Sequence, residues 1–228
     1  MTTTRPSDSR ELDTPAAVTR SMLGWGVLAG PIYLVTGITL ALTRDGFDLT
    51  EHALSLLMLG DGGWMQRTNL LLSGLLCLVA AIGISRAVAY DSTHTRAGAL
   101  VAVFGVGMLG SGAFAPDPMH GFPAGMEEVV TASGILHMVF GLVQFLSLTA
   151  AGITLARWSS RRGDDRHSIG SRALALTALV GFLGGAALGQ HPLGIALLWV
   201  AVLAAYGWIA TTCLYLWGVV PHPDRTRR

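Results

Sequence analysis

The sequence predicts an all-α membrane protein, a bundle of six transmembrane helices with a short interfacial helix in the first extracytoplasmic loop. The chain is 51% hydrophobic and only 13% charged, whereas an average soluble domain carries roughly 25% charged residues. Six apolar stretches also approach the roughly 20 residues that a helix needs to cross a bilayer. The predicted spans are 22–42, 69–89, 97–115, 132–156, 171–189 and 194–217.

The placement of arginine predicts the orientation of these spans. All fifteen cationic side chains are arginine, and only Arg44 and Arg67 lie on the side opposite the termini. Because positive charge concentrates in cytoplasmic loops, both termini are predicted to be cytoplasmic in a multi-pass plasma-membrane protein. The polar residues 1–20 predict a disordered cytoplasmic tail, residues 21–218 the transmembrane domain, and residues 219–228 a second cytoplasmic tail.

Several classes of function are excluded by what the sequence lacks. The chain contains no lysine, which excludes Schiff-base chemistry. It has no P-loop, no dinucleotide-binding glycine motif after a strand and no CxxC pair. Cys77 and Cys213 both fall inside apolar spans, where cysteine behaves as a small core residue. No basic soluble face is present to bind nucleic acid, so the lipid bilayer is the one partner that the composition itself indicates.

Small residues recur at helical spacing in three of the predicted spans, among them Gly26 and Gly30 in the first. Gly98, Gly105 and Gly112 share one face of the third span, and Gly185 and Gly189 repeat the pattern in the fifth. Such faces let the backbone of a neighbouring helix approach closely. They favour tight packing within one molecule, and the alternative is a homodimer formed through one of them.

The first outer loop carries polar side chains at spacings of three and four. On a helix, Asp48, Glu51, His52 and Ser55 fall within an arc of about 100°. Asp48 and Glu51 also fit a capping box, and Gly60 is a typical stop signal. These residues predict an interfacial helix of about eleven residues, too short to span a bilayer. Asp48 and Glu51 therefore have helix capping as an alternative to a functional role. The His52 imidazole and the Ser55 hydroxyl remain candidates for a functional site.

The second outer loop and the fourth span supply further candidates. Asp117 lies in a turn made rigid by three prolines and a glycine, where turn capping is the alternative role. His120, in the same turn, adds a ligand or is simply solvated. His137 lies about 8 Å below the outer end of its span, and Gln144 shares its helix face. An ionisable residue at that depth indicates a functional site or a hydrogen-bonded structural histidine.

A set of short motifs resembles one known family. The motifs are HALSLLMLG at 52–60, GWMQ at 63–66, Asn69, FGVG at 104–107, GAF at 112–114, Asp117-Pro118, Gly121, Pro123 and GILH at 134–137. Over residues 22–217 the chain resembles the six-helix bacterial membrane family catalogued as domain of unknown function 998. The resemblance implies six helices and polar outer loops, but no established reaction. Members of that family often carry His-Gly-x-x-His where this chain has Ser133 and His137, which leaves one histidine fewer for a metal centre.

Two hypotheses from different classes follow. The first is a non-enzymatic binding, sensing or accessory membrane protein, needing no cofactor, whose outer polar pocket engages a lipid headgroup or small ligand. The second is an outward-facing lipid hydrolase, with zinc as its metal in a metal-dependent form. Both draw on His52, Ser55, Asp117 and His137 as the candidate site, with Asp48, Glu51, His120 and Gln144 as secondary candidates. An ion-coupled transporter fits less well, because the spans carry no broken helices.

Overall fold

The computed structural model describes residues 12–91, 95–189 and 191–224. Over these residues the chain forms six α-helices and one 3-10 helix, η1, and its β-structure amounts to isolated bridges. The prediction of an all-α fold is confirmed. The helices are α1 (Thr14–Thr43), α2 (Gly63–Ala89), α3 (Ala97–Ala113), α4 (Ala132–Arg161), α5 (Asp165–Ala187) and α6 (Pro192–Val219), and η1 is Leu54–Met58.

The helices form a closed ring. Each helix packs on the next along the chain, and α6 packs back against α1. The short connections that follow α2, α4 and α5 make the helices they join antiparallel, so the bundle has two ends. The terminal end holds the start of α1 and the end of α6, joined where Arg20 donates a hydrogen bond of 3.1 Å to the Val220 carbonyl. The η1 end holds η1, the α3–α4 loop and the α5–α6 turn.

Among the described residues, five helices are long and apolar enough to cross a membrane, namely α1, α2, α4, α5 and α6. The chain is therefore a multi-pass helical membrane protein. The remaining helix, α3, has 17 residues and rises about 26 Å, close to the thickness of the hydrocarbon core. Membrane crossing by α3, and with it the count of six spans, stays a prediction.

Several helix boundaries differ from the predicted spans because helices continue past the apolar window into polar sequence, most clearly at the starts of α1 and α5. α1 begins at Thr14, where the Asp13 side chain accepts a hydrogen bond of 3.1 Å from Ala16 N–H, so residues 14–20 are helical instead of disordered. Residues 1–11 lie outside the described residues. α5 begins at Asp165, capped by Asp164, about two turns before the predicted span.

The glycine face of α3 packs on α2. A Cβ on Gly105 would lie 2.9 Å from the carbonyl oxygen of Gly74, and a Cβ on Gly74 would lie 3.0 Å from that of Gly105. Gly98 and Gly112 also meet α2, at Ser85 and Leu71 respectively. This face is thus covered within the molecule, and a homodimer, which stays a prediction, would need another surface.

Candidate functional site

A cavity of about 210 Å³ lies inside the η1 end of the bundle. Residues of all six described helices form its walls, and η1 with the α3–α4 loop forms its roof. Most of the lining is apolar, including Phe145, Phe182 and Leu198. Its polar side chains are Tyr33, Ser55, Ser111, His120, His137, Gln144 and Trp199. An apolar lining with a few polar groups is typical of a small-molecule site.

The structure brings together some of the residues predicted for the site and separates others. Ser55, His120, His137 and Gln144 line the cavity. The remaining four do not: His52 is buried behind the roof, Asp117 lines a neighbouring surface groove, and Asp48 and Glu51 are exposed. The predicted polar arc on a single helix was wrong, because η1 begins only at Leu54.

His137 is held by the end of α3. Its Nδ1 lies 2.9 Å from the carbonyl oxygens of both Ser111 and Phe114, so Nδ1 carries the proton and donates to them. The Ser111 hydroxyl in turn donates to the His137 carbonyl at 3.3 Å. The ring is 8% exposed. In the neutral ring, Nε2 then carries the lone pair and can accept a hydrogen bond from a bound molecule.

Two histidines, which we call the histidine bridge, tie the three loops of the η1 end together. The bridge consists of the side chains of His52 and His120. Nδ1 of His52 accepts the Asp48 N–H at 2.8 Å, so its Nε2 donates to the His120 carbonyl at 3.2 Å. Nε2 of His120 lies 3.2 Å from the Gly189 carbonyl. Both ring nitrogens of His52 are thus used by the backbone, and the bridge is a structural feature of the roof.

Asp117 stabilises the start of α4. Its carboxylate accepts hydrogen bonds from the backbone N–H of Thr131, at 3.1 and 3.2 Å, and from the Thr131 hydroxyl. That hydroxyl accepts the Gly134 N–H at 3.1 Å, which completes a two-residue cap. A Cβ at position 134 would overlap the Asp117 carboxylate, so Gly134 makes room for it. The negative charge also suits the N-terminal end of the helix dipole.

Asp48 and Glu51 do not form the predicted capping box. The Asp48 carboxylate accepts hydrogen bonds from the backbone N–H and the hydroxyl of Thr50, at 2.7 and 2.6 Å. These bonds lower the pKa of Asp48 below its ordinary value of 3.8. The local turn, of the kind that Asp side chains favour, takes the place of the helix start, which is why the segment before Leu54 is irregular.

A groove on the membrane-facing side of α4 and α5 adjoins the cavity. Its volume is about 420 Å³, and Asp117 lies at its end nearest the loops. Met138, Phe182 and Ala186 line both the groove and the cavity. The two spaces therefore lie on either side of these three residues, between α4 and α5.

The sequence reasoning missed a buried polar cluster beside the cavity. The Asn69 side chain donates to the Tyr33 carbonyl at 3.0 Å and to the Gln66 side chain at 3.1 Å. Gln66, Asn69 and Ser73 are all buried in α2. Their spacing of three and four in an otherwise apolar span was the available signal, since polar residues in a membrane helix face the bundle interior.

In the part of the chain that the structure describes, no set of metal-binding side chains is assembled. Over residues 12–91, 95–189 and 191–224, no three His, Cys, Asp or Glu side chains are grouped to hold an ion. Zinc needs three or four ligands at about 2 Å. Zinc binding stays a prediction, with His137 as the one candidate ligand whose Nε2 the backbone does not occupy.

The helices and the cavity together define a multi-pass helical membrane protein with a roofed pocket at one end of its bundle. A family model described as "Protein of unknown function (DUF998)" matches residues 27–215, and the chain belongs to this family. The predicted resemblance is thereby confirmed. No curated protein and no solved structure matches the chain.

Proposed function

We propose that the protein is a non-enzymatic binding protein of the plasma membrane that holds a small amphipathic, lipid-like molecule in the cavity at its η1 end. The single observation that carries this proposal is the cavity itself, a roofed space with an apolar lining and a few polar groups. Binding of this kind suits a sensor or an accessory subunit, because the described residues form a ligand pocket without a complete catalytic set.

Most of the polar side chains of the cavity lie toward the roof, which supports an amphipathic ligand. Ser55 and His120 lie at the roof, and His137 lies one to two turns into α4. Gln144 lies seven residues further along the helix, about 10 Å deeper, and is surrounded by apolar wall residues such as Phe145 and Val202. A polar headgroup fits the roof side and a hydrocarbon part fits below it.

The charges around the η1 end favour a neutral headgroup over an anionic one. Six exposed carboxylates surround this end: Asp45, Asp48, Glu51, Asp61, Glu127 and Glu128. Of the two arginines nearby, Arg44 is engaged by the Leu59 carbonyl at 2.6 Å. The negative potential disfavours phosphate groups, while the Ser55 hydroxyl and the His137 Nε2 can exchange hydrogen bonds with hydroxyl groups.

The arginine distribution supports an orientation with both termini in the cytoplasm. Arginines at the ends of α2, α4 and α5 share the terminal end of the bundle with Arg20, and the η1 end has only Arg44 and Arg67 among the described residues. By the positive-inside rule the η1 end faces the outside. The ligand is therefore one available from the outer leaflet or the medium.

Of the four residues proposed for the lipid hydrolase, only two line the cavity. Ser55 and His137 share the cavity, but both ring nitrogens of His52 bond to the backbone and Asp117 caps α4. A nucleophile needs an adjacent base that is in turn oriented by a third group. These contacts favour binding over catalysis.

The test uses a monoacylglycerol that carries a photoactivatable diazirine on its chain, added to the purified protein in detergent. We expect illumination to label cavity residues such as Phe145 and Leu198, as mapped by mass spectrometry. Val202→Phe narrows the cavity and should reduce this labelling, whereas Val200→Phe, at an exposed position on the same helix, should not.

Two results would overturn the proposal. Labelling restricted to exposed residues, equal in both variants, would show that the cavity holds no ligand of this class. Cleavage of the probe ester by the wild type and not by Ser55→Ala would instead establish the hydrolase. Zinc analysis of the same sample tests the metal-dependent form.

A further inference from the structure

The cavity is closed by two different walls, the roof of loops above it and the α4–α5 wall that faces the bilayer. The two walls differ in how firmly they close the cavity. On the loop side, Leu56, His52 and Phe122 are 2%, 4% and 2% exposed. The His52 ring packs on Phe122 with 5.3 Å between ring centres, and the histidine bridge joins all three loops. The roof is thus a packed and hydrogen-bonded layer between the cavity and water.

The bilayer side is formed by single side chains of α4 and α5, of which Ala186 and Met138 are exposed and Phe182 and Gly141 are buried. Ala186 is exposed on α5 and lines both the cavity and the groove. Phe182 also lines both spaces, and its ring stacks on Phe145 with centres 4.5 Å apart. Facing it on α4 is Gly141, whose Cβ position lies 3.2 Å from the Phe182 ring. Phe182, opposite Gly141, therefore separates the cavity from the groove at this level.

The volumes restrict what can pass between α4 and α5. The cavity, at about 210 Å³, is smaller than the roughly 300–1,000 Å³ of sites for drug-sized ligands. It is therefore too small for a diacyl lipid, and at most part of one hydrocarbon chain fits inside it. The groove outside is lined by exposed apolar side chains such as Ile135, Val139 and Leu183, which lie among lipid chains in a membrane, so its occupant is a lipid chain.

We propose that the cleft between α4 and α5 is a lateral portal, through which a neutral single-chain lipid passes from the adjacent bilayer leaflet into the cavity. The proposal rests on the proposed function and adds the class of ligand and its route. The chain of the lipid lies first in the groove, then passes Phe182 and Ala186, and its headgroup comes to the level of His137. No opening of the roof is required.

The portal is tested by the matched pair Ala186→Trp and Ala187→Trp. Both alanines are exposed near the end of α5, but Ala187 lines neither space. Each variant, in full-length protein, is reconstituted into phosphatidylcholine vesicles. The diazirine monoacylglycerol is added, and labelling of Phe145 is followed with time. Release is followed after preloading in detergent.

The portal predicts that Ala186→Trp slows both loading and release by roughly tenfold, the effect of about 1.4 kcal/mol added to the barrier, while Ala187→Trp matches the wild type. Leu183→Trp, which lines only the groove, should slow loading less. Wild-type rates in Ala186→Trp, with the cavity still labelled, would overturn the portal and leave the proposed function standing. Lower occupancy without slower release would also overturn it. Absence of cavity labelling in every protein would overturn the proposed function as well.

Discussion

The two ends of the bundle are built by the same six described helices but are filled differently. At the terminal end, Trp158 and Trp208 are fully buried. The Trp208 indole donates to the Ser171 hydroxyl at 2.8 Å, and that hydroxyl donates to the Gly152 carbonyl at 3.0 Å. At the η1 end the helices enclose a cavity instead.

This difference supports placing the proposed binding site at the η1 end. In a membrane, helices associate largely through van der Waals packing, and an unfilled volume loses those contacts. The terminal end shows that this chain can fill its interior with large side chains. The cavity with polar groups at the other end forgoes such contacts, which supports the proposed binding function.

The largest loss of stability should come from a substitution at the terminal end. Trp208→Ala removes a fully buried ring and the partner of Ser171, so we expect a loss of about 3–5 kcal/mol in unfolding free energy. Thermal unfolding in detergent measures it. Trp25→Ala, at a lipid-facing position that is 46% exposed, is the control. Equal losses in the two variants would contradict the proposed division between the ends.

A substitution in the roof should lower the stability by a smaller amount. His52→Leu leaves the Asp48 N–H and the His120 carbonyl without their partners, at a cost of about 1–3 kcal/mol. Hydrogen exchange should increase at residues 48–56 and 118–122, with helix amides unchanged. Glu51→Ala, one residue away and exposed, should change neither the stability nor the hydrogen exchange of the roof. Equal protection of the roof in the two variants would show that the histidine bridge does not stabilise it.

The cap of α4 should contribute somewhat less. Asp117→Ala removes the acceptor for Thr131, and loss of a helix cap costs about 1 kcal/mol. Glu127→Ala, an exposed acid in the same loop, provides the comparison in a thermal melt. Should Asp117→Ala leave stability untouched while abolishing ligand binding, its capping role would be wrong and a direct role in the groove would replace it.

The smallest effect concerns pH. Thr50 holds the pKa of Asp48 below its ordinary value of 3.8. Because the folded-state pKa is the lower one, the stabilisation is present above pH 3.8 and is lost as the pH falls through the lowered pKa. The difference in melting temperature between the wild type and Asp48→Asn should therefore be small at neutral pH and vanish in acid. A difference that grows in acid would contradict this sign.

The helices were predictable from sequence to a greater degree than the loops. Apolar length indicated all six helices, because each stretch depends only on its own composition. The polar arc from Asp48 to Ser55 failed, because helical periodicity says nothing of the Asp48–Thr50 turn that replaces the helix. The role of His52 was equally hidden, since its partner His120 lies 68 residues away.

By itself, the sequence determined the class of protein, the family and the approximate spans, because hydrophobic length and local motifs are properties of neighbouring residues. Only the tertiary structure decided that Ser55 and His137 share a cavity, while His52 joins loops and Asp117 caps a helix. The physical reason is that a side chain's role follows from its hydrogen-bond partners, and here those partners are brought together by the closure of the ring.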